Sequence, residues 1–167
     1  MTVKACIERV IDVPVDRAWE LLSDFSHVHL IHPIVETVDQ QSVDGRGLGA
    51  VRQCNMYDGN YALERIIAWD EAHRSYKVQL IDSSLPVKSI LATLSVQDAG
   101  NDKSKLLVEM NIKAKYGLLG KIMERLVMKP QLGGTVGDLL GGVEAYDKTG
   151  KEIQKGFKAK TRAVVTC

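Results

Sequence analysis

Apolar and polar residues alternate strictly along the first stretch of the chain. Val3, Ala5, Ile7 and Ile11 share one parity, and Lys4, Glu8 and Asp12 share the other. Period-two alternation predicts a strand over Val3–Val13 with one face on a core and one on water. Arg9 breaks the apolar parity, so it must sit at a rim or meet a partner inside. The period then changes. Pro14, Asp16 and Glu20 suit the opening turns of a helix, and Ala18, Trp19, Leu22 and Phe25 carry its apolar spacing. A second short helix is expected around His27–Ile31, ended by Pro33.

Strand signals return in series over Ile34–Val43, Leu48–Met56, Tyr61–Trp69, Tyr76–Asp82, Ser89–Val96 and Leu106–Ala114. Turn-forming runs separate them, among them Asp44-Gly45-Arg46-Gly47, Asp58-Gly59-Asn60 and Ala99-Gly100-Asn101-Asp102. Such turns between alternating runs predict hairpins, and consecutive hairpins predict an antiparallel meander. From Leu118 to Tyr146 the spacing is helical again, through Leu119, Ile122, Leu126, Leu139, Leu140 and Val143. Pro130 and Gly133-Gly134 leave one long helix or two pieces open. The reading is an α+β fold. About seven antiparallel strands curl around a long C-terminal helix, with two short helices after the first strand. Residues 1–148 form the domain. Residues 149–167, rich in lysine, are expected as a basic, flexible tail. Sheet and helix rarely fill the space between them, so a cavity is expected.

Composition narrows the function classes. Twenty-two basic residues face 21 acidic ones, a net charge of +1, which gives no global reason to expect nucleic acid. No apolar run approaches the roughly 18–20 residues of a membrane span, and no apolar signal region opens the chain. Cys6, Cys54 and Cys167 form no CxxC pair and read as scattered reduced thiols. The expectation is a cytoplasmic monomer or homodimer.

Several short motifs in order resemble the START-like helix-grip superfamily, also called SRPBCC or polyketide cyclase/dehydrase-like proteins. They are Ile11-Asp12-Val13-Pro14-Val15-Asp16-Arg17-Ala18-Trp19, Leu22-Ser23-Asp24-Phe25, His32-Pro33, Gly49-Ala50-Val51-Arg52, Leu63-Glu64-Arg65-Ile66, Trp69-Asp70 and Leu85-Pro86-Val87. The likeness spans roughly residues 3–148 and looks nearest to bacterial relatives of the plant abscisic acid receptors. It implies an internal cavity for a hydrophobic ligand. It also implies site positions. His32 stands where the receptors have a cavity lysine, and Glu64 matches a cavity-lining glutamate. The Tyr57–Asn60 turn and Leu85-Pro86-Val87 stand where they have a gate loop and a latch. Histidine in place of lysine removes a permanent cation, and both loops depart from the receptor sequences, so hormone-dependent phosphatase inhibition is not expected.

The residues themselves offer further candidates. Glu64 shares parity with Ala62, Ile66 and Ala68. If that parity faces the cavity, a carboxylate in an apolar space needs a partner, water or a raised pKa, and it could orient a ligand hydroxyl or act as a base. The alternative is a rim salt bridge with Arg9, Arg52 or a lysine. Arg52 could receive a ligand carboxylate through its planar fork, although an exposed strand arginine is the commoner outcome. Tyr57, Tyr61, Tyr76 and Tyr116 could line the pocket and donate a hydroxyl each, though tyrosines at strand ends more often pack with wet tips. Met110 and Met123 suit an adaptable apolar wall or a plain core. Trp19 and Trp69 read as core.

His27, His29 and His32 invite a metal reading, but their spacing does not put all three on one helix face. No metal or cofactor is expected. Gly45-Arg46-Gly47-Leu48-Gly49 lies in a hairpin turn and opens no helix, and there is no GxxxxGK[ST], HExxH or GxSxG. The leading reading is a binding module for a hydrophobic or amphipathic small molecule, lined by His32, Arg52, Glu64, Tyr61, Leu85, Pro86, Val87, Met110 and Met123. A polyketide cyclase, aromatase or dehydratase using Glu64, with His32 or Tyr61, is an alternative. A ligand-dependent protein-binding regulator is another.

Overall fold

Alternation in the first strand translates directly into the fold. In the computed structural model, which describes residues 2–115, 129–160 and 163–165, β1 (Thr2–Ile11) buries Val3, Ala5, Ile7 and Ile11 on one face. Helix α1 (Val15–Ser23) follows Pro14, whose carbonyl accepts from the Ala18 amide at 2.9 Å. It turns Ala18, Trp19 and Leu22 inward. A 3-10 helix, Phe25–Leu30, comes next and is kinked at His27.

The meander runs through β2 (Val35–Gln40), β3 (Val51–Met56), β4 (Tyr61–Asp70), β5 (Ser75–Ser83), β6 (Val87–Gly100) and β7 (Lys103–Ala114). Each strand pairs antiparallel with the next. β1 pairs with β7, and β8 (Val164–Val165) pairs with β1, so the sheet order is β2-β3-β4-β5-β6-β7-β1-β8. The eighth strand, Val164–Val165, was not anticipated; it pairs with β1 at Glu8 and Ile7. Register shifts interrupt β2, β4 and β6, and bulges of this kind bend strands and increase twist. One of them, between Ile66 and Ala68, corrects the expected inward parity of β4. Ala68 is exposed, and Trp69 packs on the core instead.

Helix α2 (Lys129–Thr149) lies against β1. Its expected N-terminal part, including Leu119, Ile122 and Leu126, falls outside the described residues. Val136, Leu139, Leu140 and Val143 recur at helical spacing and are buried. Fully burying a branched aliphatic side chain contributes about 1.5–3 kcal/mol, so Ile7, Ile11, Leu106, Leu140 and Val143, which share one core cluster, anchor the sheet to this helix. Arg9 is buried here too, with its guanidinium beside Gly137 and Gly141. Burial lowers its pKa, and the fields of Asp138 and Glu144 oppose the drop.

The C-terminal segment, expected as a basic flexible tail, is packed against the domain where it is described. It crosses the outer face of α2, where glycines recur every four residues. A Cβ on Gly141 would lie 2.5 Å from the Ala159 Cβ, one on Gly137 3.0 Å from the Ala163 Cβ, and one on Gly133 3.1 Å from Val165. The buried Asp138 carboxylate accepts from the Ala159 amide at 3.0 Å and from Lys158 Nζ at 2.7 Å. The Ile153 amide donates to the Leu30 carbonyl at 3.0 Å. Residues 136–143 are therefore buried on all sides, by sheet within and by this segment without.

The reduced-thiol reading is also corrected. Cys6 is disulfide-bonded, whereas Cys54 is a free, buried thiol. Cysteine usage therefore no longer argues for a reducing compartment. Among the described residues, no helix is long and apolar enough to cross a membrane.

Candidate ligand-binding site

Between the inner face of the sheet and α2 lies a cavity of about 140 Å³. Its walls are mostly apolar: Val78, Leu80, Ile90 and Leu94 from the sheet, Val108 and Met110 from β7, and Val136 and Leu139 from α2. Its polar lining comes from His32, Arg52, Cys54, Glu64 and Tyr76.

Arg52 and Glu64 face each other across the β3–β4 hairpin. Arg52 Nε and Nη2 both donate to Glu64 Oε2, at 2.8 and 2.7 Å. Nη1 donates to the Phe25 carbonyl at 3.0 Å, and the guanidinium carbon stands 3.8 Å from the Phe25 ring centre. Burial alone would lower the Arg52 pKa. Cys54, Glu64 and Tyr76 outweigh it, the net shift is upward, and the group stays protonated. No described residue donates to Glu64 Oε1.

His32 is a neutral group. Burial, helped by the nearby Arg52 charge, lowers its pKa to about 3. Its Nδ1 accepts from the Ile34 amide at 3.4 Å, which places the proton of the neutral ring on Nε2. Cys54 is buried against the same pair, and burial pushes its thiol up to about 12, so it is no nucleophile. Tyr76, expected to have a wet tip, is instead deeply buried. Its hydroxyl donates to the Leu22 carbonyl at 2.8 Å, and burial raises its pKa.

The structure thus brings His32, Arg52, Glu64 and Met110 together around the cavity and buries Arg52, against the commoner expectation of an exposed strand arginine. It does not bring Tyr61 there. That side chain is on the outside, with its hydroxyl donating to Asp82 Oδ2 at 2.7 Å. Leu85 and Val87 pack beside Ala62, Leu80, Ile112 and Met110 in a second core cluster at one end of the cavity. Pro86 is exposed, and its carbonyl accepts from the Lys115 amide. Met123 lies outside the described residues. The Tyr57–Asn60 turn is tied to the 83–87 loop, because Ser84 Oγ donates to Asn60 Oδ1 at 2.8 Å and accepts from the Tyr61 amide at 2.9 Å.

The three clustered histidines diverge in their surroundings. His27 is exposed and bonded to Asp24, His29 is half-buried, and His32 faces the cavity. Trp19 and Trp69 are core residues, as read from the sequence, and their indole N–H groups share the Glu71 carboxylate at 2.8 and 3.0 Å. Tyr76, one of the four tyrosines that could line a pocket, lies in the cavity wall, as do Cys54 and Met56, which share the strand parity of Arg52. Arg52 and Glu64 lie six residues on either side of Asp58, so a symmetric hairpin already sets them opposite each other.

A bent antiparallel sheet gripping one C-terminal helix, with a cavity between them, defines the START-like or SRPBCC helix-grip class. The chain matches over residues 2–146 the family described as polyketide cyclase / dehydrase and lipid transport, and belongs to it. Among solved structures it is similar to XoxI from Bacillus cereus, with 17% identity, TM-score 0.69, and 89% of this chain and 96% of that one covered. It is also similar to norcoclaurine synthase from Thalictrum flavum, with 20% identity, TM-score 0.68, and 89% and 88% covered. For Ara h 8.0201 the identity is 18%, the TM-score 0.65, and the coverage 87% and 97%. At these identities the likeness establishes the fold. No curated protein matches the chain.

Proposed function

We propose that this protein binds a small hydrophobic or amphipathic molecule in the cavity between sheet and helix. The observation that carries this reading is the lining itself. Apolar side chains make up most of the wall, and a compact group of polar side chains sits on one side. Binding pockets combine an apolar envelope with a few fixed polar groups that set orientation. The volume of about 140 Å³ lies below the roughly 300–1,000 Å³ of sites for drug-sized molecules, which favours a small ligand in this conformation.

One observation disfavours the catalytic alternative in its Glu64–Tyr61 form. Tyr61 is on the outer surface, with its hydroxyl bonded to Asp82, so it supplies no acid or base beside Glu64. Native mass spectrometry of protein purified from its source tests the binding reading. A co-purified small molecule of defined mass, released on unfolding and lost after Met110→Trp fills the cavity, is the expected result. Protein that carries nothing and takes up no apolar probe would refute it.

A further inference from the structure

We infer that the cavity selects ligands whose polar end is uncharged and carries both a donor and an acceptor, such as a hydroxyl or a primary amide, and rejects carboxylates and amines of the same length. This inference rests on the binding reading above.

The charges in the wall already cancel. Arg52 is the one cation of the lining and Glu64 the one anion among the described residues, and they bond at 2.7 and 2.8 Å. His32 adds no charge near neutral pH. A ligand carboxylate entering here would compete with Glu64 for one guanidinium. Two carboxylates sharing a site repel, and each is poorly solvated away from water. A ligand ammonium would gain Glu64 only by standing beside Arg52, with the same penalty in opposite sign. Arginine in a ligand cavity is ordinarily an anion receptor, but this one arrives with its anion built in.

What the pair leaves over has a definite character. Glu64 Oε1 accepts nothing from any described residue, and His32 Nε2 carries a proton because Nδ1 is an acceptor. One is a hydrogen-bond acceptor and the other a donor. A hydroxyl can donate to the first and accept from the second, and a primary amide can do the same with its N–H and carbonyl. An ether or an alkane leaves both unpaired. Leaving a polar group of the site unpaired is how hydrogen-bonding pockets discriminate strongly between near-isosteric ligands.

The test is titration of the full chain at pH 7.5 with octan-1-ol, octanamide, octanoate and octylammonium, followed by amide NMR shifts. Octanol and octanamide are expected to bind at least tenfold tighter than either ion. Glu64→Gln unpairs Arg52 and should raise octanoate affinity relative to octanol by tenfold or more. Arg52→Gln unpairs Glu64 and should do the same for octylammonium. Octanoate binding as tightly as octanol in the wild-type chain overturns the inference while leaving the binding reading intact. Binding of none of the four to the folded chain rejects both. The wild-type ratio decides alone if a variant does not fold.

Discussion

The guanidinium of Arg52 grips a single oxygen of Glu64 with two N–H groups inside the wall of the cavity, at 2.8 and 2.7 Å. A buried pair of this kind is asymmetric in its energetics. Removing one partner strands the other charge away from water, which typically costs about 3–5 kcal/mol, whereas replacing both by apolar groups of similar volume is often neutral. Glu64 keeps a side-chain exposure of 22%, so the lower end applies. Arg52→Met is expected to lower stability by about 3 kcal/mol, and Arg52→Met with Glu64→Leu to recover most of it. Urea unfolding of the single and double variants reads this directly. Additive losses would show that the two side chains are independent.

His32 gives the fold a pH dependence of known sign. Its pKa is near 6.5 in the unfolded chain and about 3 in the folded one, because burial and the Arg52 charge disfavour the imidazolium. The unfolded state therefore binds the proton first. The stability tied to neutral His32 is complete above about pH 6.5 and is lost as the pH falls towards 3. Between pH 7 and pH 5 the loss amounts to about 2 kcal/mol. His32→Gln should lack that component, so the comparison is the change in unfolding free energy from pH 7 to 5 in the two chains. Equal changes would place His32 in water.

How much of this was legible beforehand depended on whether the signal was local. The six meander strands could be read because each alternating run is bounded by its own turn residues, Asp58-Gly59-Asn60 being the clearest. Glu64 was matched to a cavity position by the family resemblance, and the buried parity of Ala62 and Ile66 beside it agrees. The parity of Ala68 and Trp69 was not legible, since no glycine or proline announces the bulge between Ile66 and Ala68. Arg52 could be offered as a lining residue but its burial could not be read, because a charged strand residue is usually exposed and its partners, Glu64 twelve positions on and the Phe25 carbonyl, are distant in sequence. The docked C-terminal segment was invisible for the same reason. Gly133, Gly137 and Gly141 look like helix weaknesses until Ala159, Ala163 and Val165 are seen filling the space they leave.

The glycines of α2 should respond oppositely to one substitution. Alanine in place of a helical glycine gains up to about 1 kcal/mol where there is room. At Gly134 an added Cβ meets nothing within 4 Å, so Gly134→Ala should stabilise by about 0.5–1 kcal/mol. At Gly142 the Cβ would stand 2.1 Å from the Ile31 carbonyl oxygen, a backbone atom that cannot swing aside. Overpacking then dominates, and Gly142→Ala should destabilise by about 1–3 kcal/mol through separation of α2 from the 3-10 helix. Thermal melts of both variants check the signs. A stable Gly142→Ala protein would mean that the helix is not seated against Ile31.

Asp138 decides whether the C-terminal segment is held or merely adjacent. Its buried carboxylate accepts the Ala159 amide and the Lys158 ammonium. Lys158 is largely exposed, so its ion pair adds little. The amide is the stronger argument, since an unpaired buried N–H costs about 1–3 kcal/mol. Asp138→Ala removes the only acceptor given to that N–H among the described residues, whereas Asp138→Asn keeps a carbonyl oxygen able to take its place. The expectation is a loss of about 1–3 kcal/mol for alanine and a smaller loss for asparagine. It should be accompanied in the alanine variant by faster hydrogen exchange at Ala159 and at Val165, where the segment joins β1. A segment held by its small-residue packing alone would keep its exchange rates in both variants, and the hydrogen bond would then be incidental to the docking.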